Sequence, residues 1–329
     1  MHVLITGGTG FIGKQLATEL LRMDGFSFEG GAKESIRKIT LFDAFPGNQK
    51  WVDPRVEVIV GDISDAQTVA RIVEKADIVW HLAAVVSSGA EADFDLGMKV
   101  NLHGTLNLLE ALRGKGTRPR VVNASSLAVF GGNLPEVVTD RTNVTPKTSY
   151  GTQKAIGELL VADYSRKGFI DGRSLRLPTI TVRPGKPNKA ASTFVSSIIR
   201  EPLSRQPVVC PVRMESLVYI SSPRRAVEAM IRAMYLSEQT LGPERTVLLP
   251  GLTLSVGEMV AALERIAGPA AVKLIRWEPD PTIQGIVDGW PGRAEAARAK
   301  ALGFKADESF DEIVRAHIED EHVTKWWAQ

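Results

Sequence analysis

Over its first half the chain alternates short apolar, β-branched runs with stretches whose apolar positions recur every three to four residues. "HVLIT" (2–6) reads as a buried strand, and "KQLATELLRM" (14–23) as a helix with Leu16, Leu20 and Met23 on one face. A Gly-rich, polar stretch (24–35) loops out before the strand "KITLFD" (38–43). "VEVIVGD" (56–62), "DIVWHLAA" (77–84) and "RVVNASS" (120–126) read as further strands, separated by helical patterns at 66–76 and 100–113. Strands that alternate with helices predict an α/β fold, a doubly wound parallel sheet joined by crossover helices.

Beyond Pro178 the order weakens. Prolines and loops dominate 178–225, Trp, Gly and Pro mark 277–292, and two amphipathic helices are predicted near 293–302 and 308–320. This divides the chain into a first domain over 1–178 and a smaller C-terminal domain over 179–329. The strand-and-helix pattern "LVYISSPRRAVEAMIRAMY" (217–235) suggests that 217–250 partly rejoins the first domain.

Composition narrows the classes. The 329 residues carry 40 basic and 38 acidic side chains, a net charge of +2, with no run of like charge. A nucleic-acid partner needs a clustered basic face, so none is expected. The single cysteine, Cys210, leaves no disulfide framework and no thiol metal cluster, and no metal is expected. No apolar run approaches the roughly 20 residues of a membrane span. A strand beginning at His2 leaves no room for a signal peptide, and a cytoplasmic location is expected.

"TGGTGFIGKQL" sets Gly7, Gly10 and Gly13 three apart between a strand and a helix. Glycine suits a tight turn that lets a pyrophosphate approach the helix N-terminus, where free N–H groups and the helix dipole favour anions. Asp43 ends the second strand, where a carboxylate can accept hydrogen bonds from both adenosine ribose hydroxyls. It would repel a 2′-phosphate, so the pattern points to NAD rather than NADP. Asp62, after the third strand, is a candidate acceptor for the adenine amino group. An Asp at a strand end is also an ordinary turn residue.

"SYGTQKAIGELL" sets Tyr150 and Lys154 four apart at the start of a helix, on one face. A phenol titrates near 10 in water, too high for a base at neutral pH, and a neighbouring ammonium lowers that value. "NASSLAVFGG" ends a strand with Ser125 and Ser126, where the ligand crevice of a parallel sheet lies.

As a set, "TGGTGFIG", "HLAA" (81–84), "VNLHGT" (100–105), "SSLAVFG", "YGTQK" and "RAKALGF" (298–304) resemble the extended short-chain dehydrogenase/reductase family, which includes nucleotide-sugar epimerases and dehydratases. The resemblance covers most of the chain and implies a Rossmann-type sheet with a C-terminal substrate-binding domain. It implies Ser126, Tyr150 and Lys154 as the catalytic triad. It also implies NAD contacts from the three glycines, Phe11, Ile12, Asp43, Asp62, Ile63, Ala83, Ala84, Asn101, Leu177 and Pro178. In the family, the helices bearing "VNLHGTLNLLEALR" and "YGTQKAIGELLVADY" pair across a dimer interface, which implies a homodimer.

Dehydratases of the family place Asp and Glu directly after the catalytic hydroxyl residue, because elimination needs its own acid and base. Here Leu127 and Ala128 stand there and cannot move protons. Epimerases carry a tyrosine and an asparagine after "LR", where this chain has Leu177 and Thr179. The segment "RLPTITVRPGKPNKAAS" (176–192) and "FDEIVRAHIEDE" (310–321) look instead like those of the D-erythronate dehydrogenase group. That resemblance implies NAD-dependent oxidation of the C2 hydroxyl of a small sugar acid to the 2-oxo acid. A sugar acid has no nucleotide handle, so its carboxylate must orient it, and Arg183 in this Pro-rich loop suits bidentate recognition. Ser87, Ser88 and Thr179 are further candidates for substrate contact; Lys186 and Lys189 have no assigned role. A nucleotide-diphosphate-sugar epimerase is the enzymatic alternative, and a non-catalytic NAD-binding sensor the alternative outside enzymes.

Overall fold

The structure is a computed structural model that describes residues 1–28, 31–185 and 191–328. It divides into two compact units, one of Met1–Val129, Pro146–Arg176 and Val227–Leu248, the other of Phe130–Thr145, Leu177–Ala226 and Leu249–Gln329. Residues 130–145, grouped by the sequence pattern with the first domain, thus fold with the second unit. The segment 217–235 is shared: its strand Leu217–Ser221 lies in the second unit, and the helix Pro223–Tyr235 passes into the first.

The first unit is built on a seven-stranded sheet. From one edge its strands are Thr246–Leu248, Asp171–Leu177, Arg120–Ser126, Ile78–His81, His2–Thr6, Lys38–Asp43 and Val56–Val60. The neighbours pair in parallel, with His2 opposite Lys38 and Val3 opposite Ile78. Strand order reverses between His2–Thr6 and Ile78–His81, the switch point at which such sheets open a ligand crevice beyond their carboxyl ends. One core layer gathers Leu4, Phe42, Val69, Val79, Leu108, Leu112 and Val121.

Several elements depart from their periodicity. The first helix starts at Phe11, three residues earlier than its apolar face suggests, because Gly10 serves as its N-cap. The pattern over 100–113 is a six-residue π-helical turn, Met98–His103, leading into the helix Gly104–Lys115. Within 24–35, Phe26 is fully buried and bridged through its backbone to Glu34. Near 293–302 the helix shortens to Ala297–Ala301, because Ala294 and Glu295 pair as a strand with Val138–Thr139.

The second unit has its own core, in which Phe194, Ile198, Val218, Met259, Leu263, Phe310 and Val314 are buried. Its main sheet runs Leu252–Ser255, Leu217–Ser221 and Thr179–Ile180. Among the described residues no helix is long and apolar enough to cross a membrane.

Candidate active site

The glycine turn lies where His2–Thr6 ends. Gly7 has φ +67, and a Cβ on it would sit 2.7 Å from the backbone N of Ala83. A Cβ on Gly13 would sit 2.5 Å from the carbonyl of Gly7. The turn therefore closes only without side chains. Gly10 caps the helix Phe11–Arg22 with no side-chain acceptor, so nothing of its own covers the N–H groups of the first turn. Asp43, at the carboxyl end of the next strand, accepts the backbone N–H of Thr9 at 3.1 Å and is thereby held beside the turn. A backbone cradle that a Cβ would fill, a helix N-terminus and a strand-end carboxylate fit a dinucleotide.

Other residues expected at the cofactor divide into two kinds. Ala83 and Ala84 lie in the loop after Ile78–His81, with the Ala83 N–H donating to Thr6 Oγ1 at 3.3 Å. Asp62 accepts from Ser64 N–H and Ser64 Oγ on one oxygen and from Lys99 Nζ at 3.0 Å on the other. These contacts hold its pKa down to about 2, the Ser64 hydrogen bonds being the largest cause. The Ile63 side chain is buried in the core, which leaves only its backbone for a ligand. Asn101 is buried too: its Oδ1 accepts from Val85 N–H at 2.7 Å, and its Nδ2 donates to Val85 O at 3.0 Å and Gln153 Oε1 at 2.7 Å. It braces the loop that carries Ala83 and Ala84, a service its position in the sequence does not reveal.

Tyr150 and Lys154 lie near the start of the helix Ser149–Arg166, capped by the Thr148 hydroxyl accepting from Gly151 N–H at 3.0 Å. Lys154 is buried, its Nζ donating to the carbonyl of Ala124 at 2.8 Å, and stands 5.7 Å from the centre of the Tyr150 ring. Burial lowers its pKa to about 8, against an opposing pull from Glu158. On the facing strand, Ser126 Oγ accepts the N–H of Ala128 at 3.1 Å. A Cβ on Gly151 would come within 2.0 Å of the Ala128 carbonyl. The helix and the Ser126 turn therefore touch backbone to backbone, and the glycine beside Tyr150 permits the contact.

Behind this face is a set of polar groups that motif reading passed over. Ser125 Oγ donates to Glu158 Oε1 at 2.5 Å, and Arg176 clasps the same carboxylate with Nε and Nη2 at 2.9 and 2.7 Å. His81 is buried, with Thr6 Oγ1 at 2.7 Å on one ring nitrogen and Thr105 Oγ1 at 2.9 Å on the other. Burial and then the charge of Lys154 push its pKa down to about 3, so it is neutral. The i, i+4 step from Lys154 to Glu158 was the available signal for the first group; the strand position of Arg176 carried none.

Residues 3–240 match the sequence profile of the NAD dependent epimerase/dehydratase family. The chain belongs to this family. Its cofactor is NAD. It is 50% identical over 326 residues, 99% of this chain and 100% of the other, to a D-erythronate dehydrogenase of Cupriavidus necator. To a D-erythronate dehydrogenase of Haemophilus influenzae it is 43% identical, covering 97% of this chain and 99% of that one. A crystal structure described as a nucleoside-diphosphate-sugar epimerase from Agrobacterium tumefaciens superposes with TM-score 0.92 at 45% identity, covering 99% of this chain and 96% of that one. By this likeness the family member is an NAD-dependent dehydrogenase acting on a CH–OH group.

Ser87 and Ser88 open the short helix Ser87–Ala92 and are half-buried. Leu177, Pro178 and Thr179 belong to the second unit, Thr179 pairing with Ile220. Arg183, in the same unit, donates through Nη2 to Ser192 O and Oγ, both at 3.3 Å, while its carbonyl accepts from Arg200 Nη1 at 2.6 Å. The side chain expected to clamp a carboxylate thus has its Nη2 on Ser192. Lys186 and Lys189 lie outside the described residues.

Proposed function

We propose that this chain oxidises the C2 hydroxyl of D-erythronate, or a closely similar small sugar acid, to the 2-oxo acid, with Tyr150 as general base. Bound NAD supplies the hydride acceptor. The observation that carries the reading is the buried ammonium of Lys154, 2.8 Å from the Ala124 carbonyl and 5.7 Å from the Tyr150 ring centre. A positive charge fixed there favours the phenolate, which then takes the proton of the substrate hydroxyl. Ser126 uses its oxygen to accept Ala128 N–H and keeps its own proton to donate to the substrate oxygen. Asp43 selects NAD through the adenosine ribose, and Ala83, Ala84, Leu177 and Pro178 contribute the remaining contacts to it. Arg183 orients the carboxylate of the acid, exchanging Ser192 for it, with Ser87, Ser88 and Thr179 beside the hydroxyls.

The two D-erythronate dehydrogenases matched along nearly their whole length support the substrate class. The test is a panel of four- to six-carbon aldonates with NAD, following absorbance of the reduced cofactor; saturable reduction with D-erythronate is expected. The name of the Agrobacterium structure favours a second reading, epimerisation of a nucleoside-diphosphate sugar. Turnover of such a sugar, with none of any aldonate, would replace the first reading by the second.

A homodimer belongs to the same proposal. Phe94 is 59% exposed and Leu159 72% exposed, on helices that pack together, and a second copy would cover them. So does a cytoplasmic location, where the lone buried Cys210 stays a thiol.

A further inference from the structure

Buried Glu158 and Ser125, with partly buried Arg176, form a polar set that neither the glycine turn nor the Tyr150 pair accounts for. Glu158 is 4% exposed. Its carboxylate takes two charge-assisted bonds from Arg176 and one from the Ser125 hydroxyl. Side chains alternate along a strand, so Ser125 and Ser126 face opposite ways and the "SS" pair divides into two tasks. Ser126 serves the reacting face; Ser125 turns back to grip Glu158. Glu158 lies one helical turn from Lys154, where i, i+4 side chains meet. The carbonyl that anchors Lys154, that of Ala124, immediately precedes Ser125 on the same strand.

We infer that Glu158, held by Arg176 and Ser125, is a positioning residue that keeps the buried Lys154 ammonium charged at working pH. The inference rests on the reading of Tyr150 and Lys154 as base and partner. Its physical basis is the cost of a buried cation. Removing water from an ammonium favours its neutral form, and a fixed carboxylate nearby is the counterweight. His81 is neutral and Tyr150 is the group Lys154 must act on, so neither replaces it, and Arg176, which clasps Glu158, is itself a cation. Arg176 and Ser125 fix the carboxylate in place, so that it cannot move onto Lys154 and quench it in a closed ion pair.

The test measures Lys154 itself. In the full-length chain labelled with 13C at lysine Cε, the Lys154 resonance is identified by its loss in Lys154→Met and titrated with and without NAD. For the wild type a midpoint near 8 is expected without NAD. Glu158→Gln should lower it by about one pH unit, the usual effect of losing a nearby opposite charge. The acidic limb of kcat/KM for D-erythronate should move to higher pH, because an uncharged Lys154 no longer stabilises the phenolate. Glu158→Gln takes away the carboxylate that Arg176 clasps, so Glu158→Gln/Arg176→Gln, which removes both charges, is measured beside it. That double variant should shift the midpoint in the same direction by less, because the lost charge of Arg176 acts the other way. A folded variant whose Lys154 midpoint stays within about 0.3 unit of wild type would reduce the set to packing and overturn the inference. If the midpoint falls but the wild type oxidises no sugar acid, the inference stands and the substrate reading fails.

Discussion

Gly151 offers a direct measure of how closely the site is held. Replacing it with alanine adds one methyl, and that methyl would lie 2.0 Å from the Ala128 carbonyl oxygen. Real Cβ contacts essentially never fall below 3.0 Å, so the start of the Tyr150 helix and the Ser126 turn must part by about 1 Å. The listener to that shift is the hydroxyl pair, because Tyr150 precedes Gly151 and Ser126 lies two residues before Ala128. Misplacing reacting groups by about 1 Å typically costs a hundredfold in rate. Overpacking of this kind destabilises by roughly 1–3 kcal/mol. Gly151→Ala is therefore expected to reduce kcat for D-erythronate about a hundredfold and to lower Tm, with little change in NAD affinity. Gly157→Ala on the same helix is the control, since its Cβ would find its nearest neighbour, Thr105 Cγ2, at 3.9 Å. That variant should keep its activity and gain up to about 1 kcal/mol from helix propensity. Steady-state kinetics and thermal melts of both decide the matter. A Gly151→Ala enzyme within threefold of wild-type kcat would mean that the backbone contact does not set the geometry of the pair.

Tyr150→Phe should bind NAD almost as wild type, by fluorescence titration, while kcat falls at least 10²- to 10⁴-fold; activity within tenfold would assign the proton to another group. Asp43→Ser should weaken NAD about ten- to a hundredfold and narrow its advantage over NADP, since a charge-assisted bond and a repulsion are lost together; an unchanged Kd for NAD would move the ribose contact elsewhere. Arg183→Ala should raise KM for D-erythronate roughly ten- to a hundredfold, with Arg183→Lys recovering only part, and the effect should vanish for the neutral amide of the acid. Lys154→Met should abolish turnover yet raise stability at pH 7, because burial lowers the lysine pKa to about 8 from 10.5. The unfolded chain binds the extra proton between those values, so the advantage, at most ~3 kcal/mol, should shrink as pH rises from 8 to 10.5; melts that show the same gap at both ends would contradict it.

The parallel sheet was legible because its evidence is local. A buried strand of five residues, a glycine turn and an apolar helical face each announce themselves within a dozen positions, and "HVLIT", "KITLFD" and "RVVNASS" fall where the strands His2–Thr6, Lys38–Asp43 and Arg120–Ser126 lie. The interleaving of the two units was not local. Phe130–Thr145 joins the second unit partly through Val138 pairing with Ala294, a partner more than a hundred and fifty residues away. The same holds within the site. Tyr150 and Lys154 can be read from their spacing, whereas the burial of Glu158 depends on Arg176 arriving from another strand. Gly151 reads as a helix-weakening residue until Ala128 is known to lie against it. Asn101 can be picked from its motif, whereas its hydrogen bonds to Val85, sixteen residues away, cannot.

Shared folds leave the choice of chemistry to a few positions, and here two of them follow Ser126. An elimination would need a proton donor and acceptor beside the oxidised carbon. Leu127 is 6% exposed within the turn Leu127–Val129, so its side chain belongs to the interior. The backbone of Ala128 is committed twice, its N–H to Ser126 and its carbonyl to the close contact with Gly151. A carboxylate introduced at 127 would be buried without a partner and would take up a proton rather than move one. Leu127 and Ala128 thus supply neither a proton donor nor an acceptor after Ser126. On the proposed reading, Ser126 at that strand end acts with Tyr150 and Lys154 of the helix Ser149–Arg166. Those three suffice for removing a proton as a hydride departs.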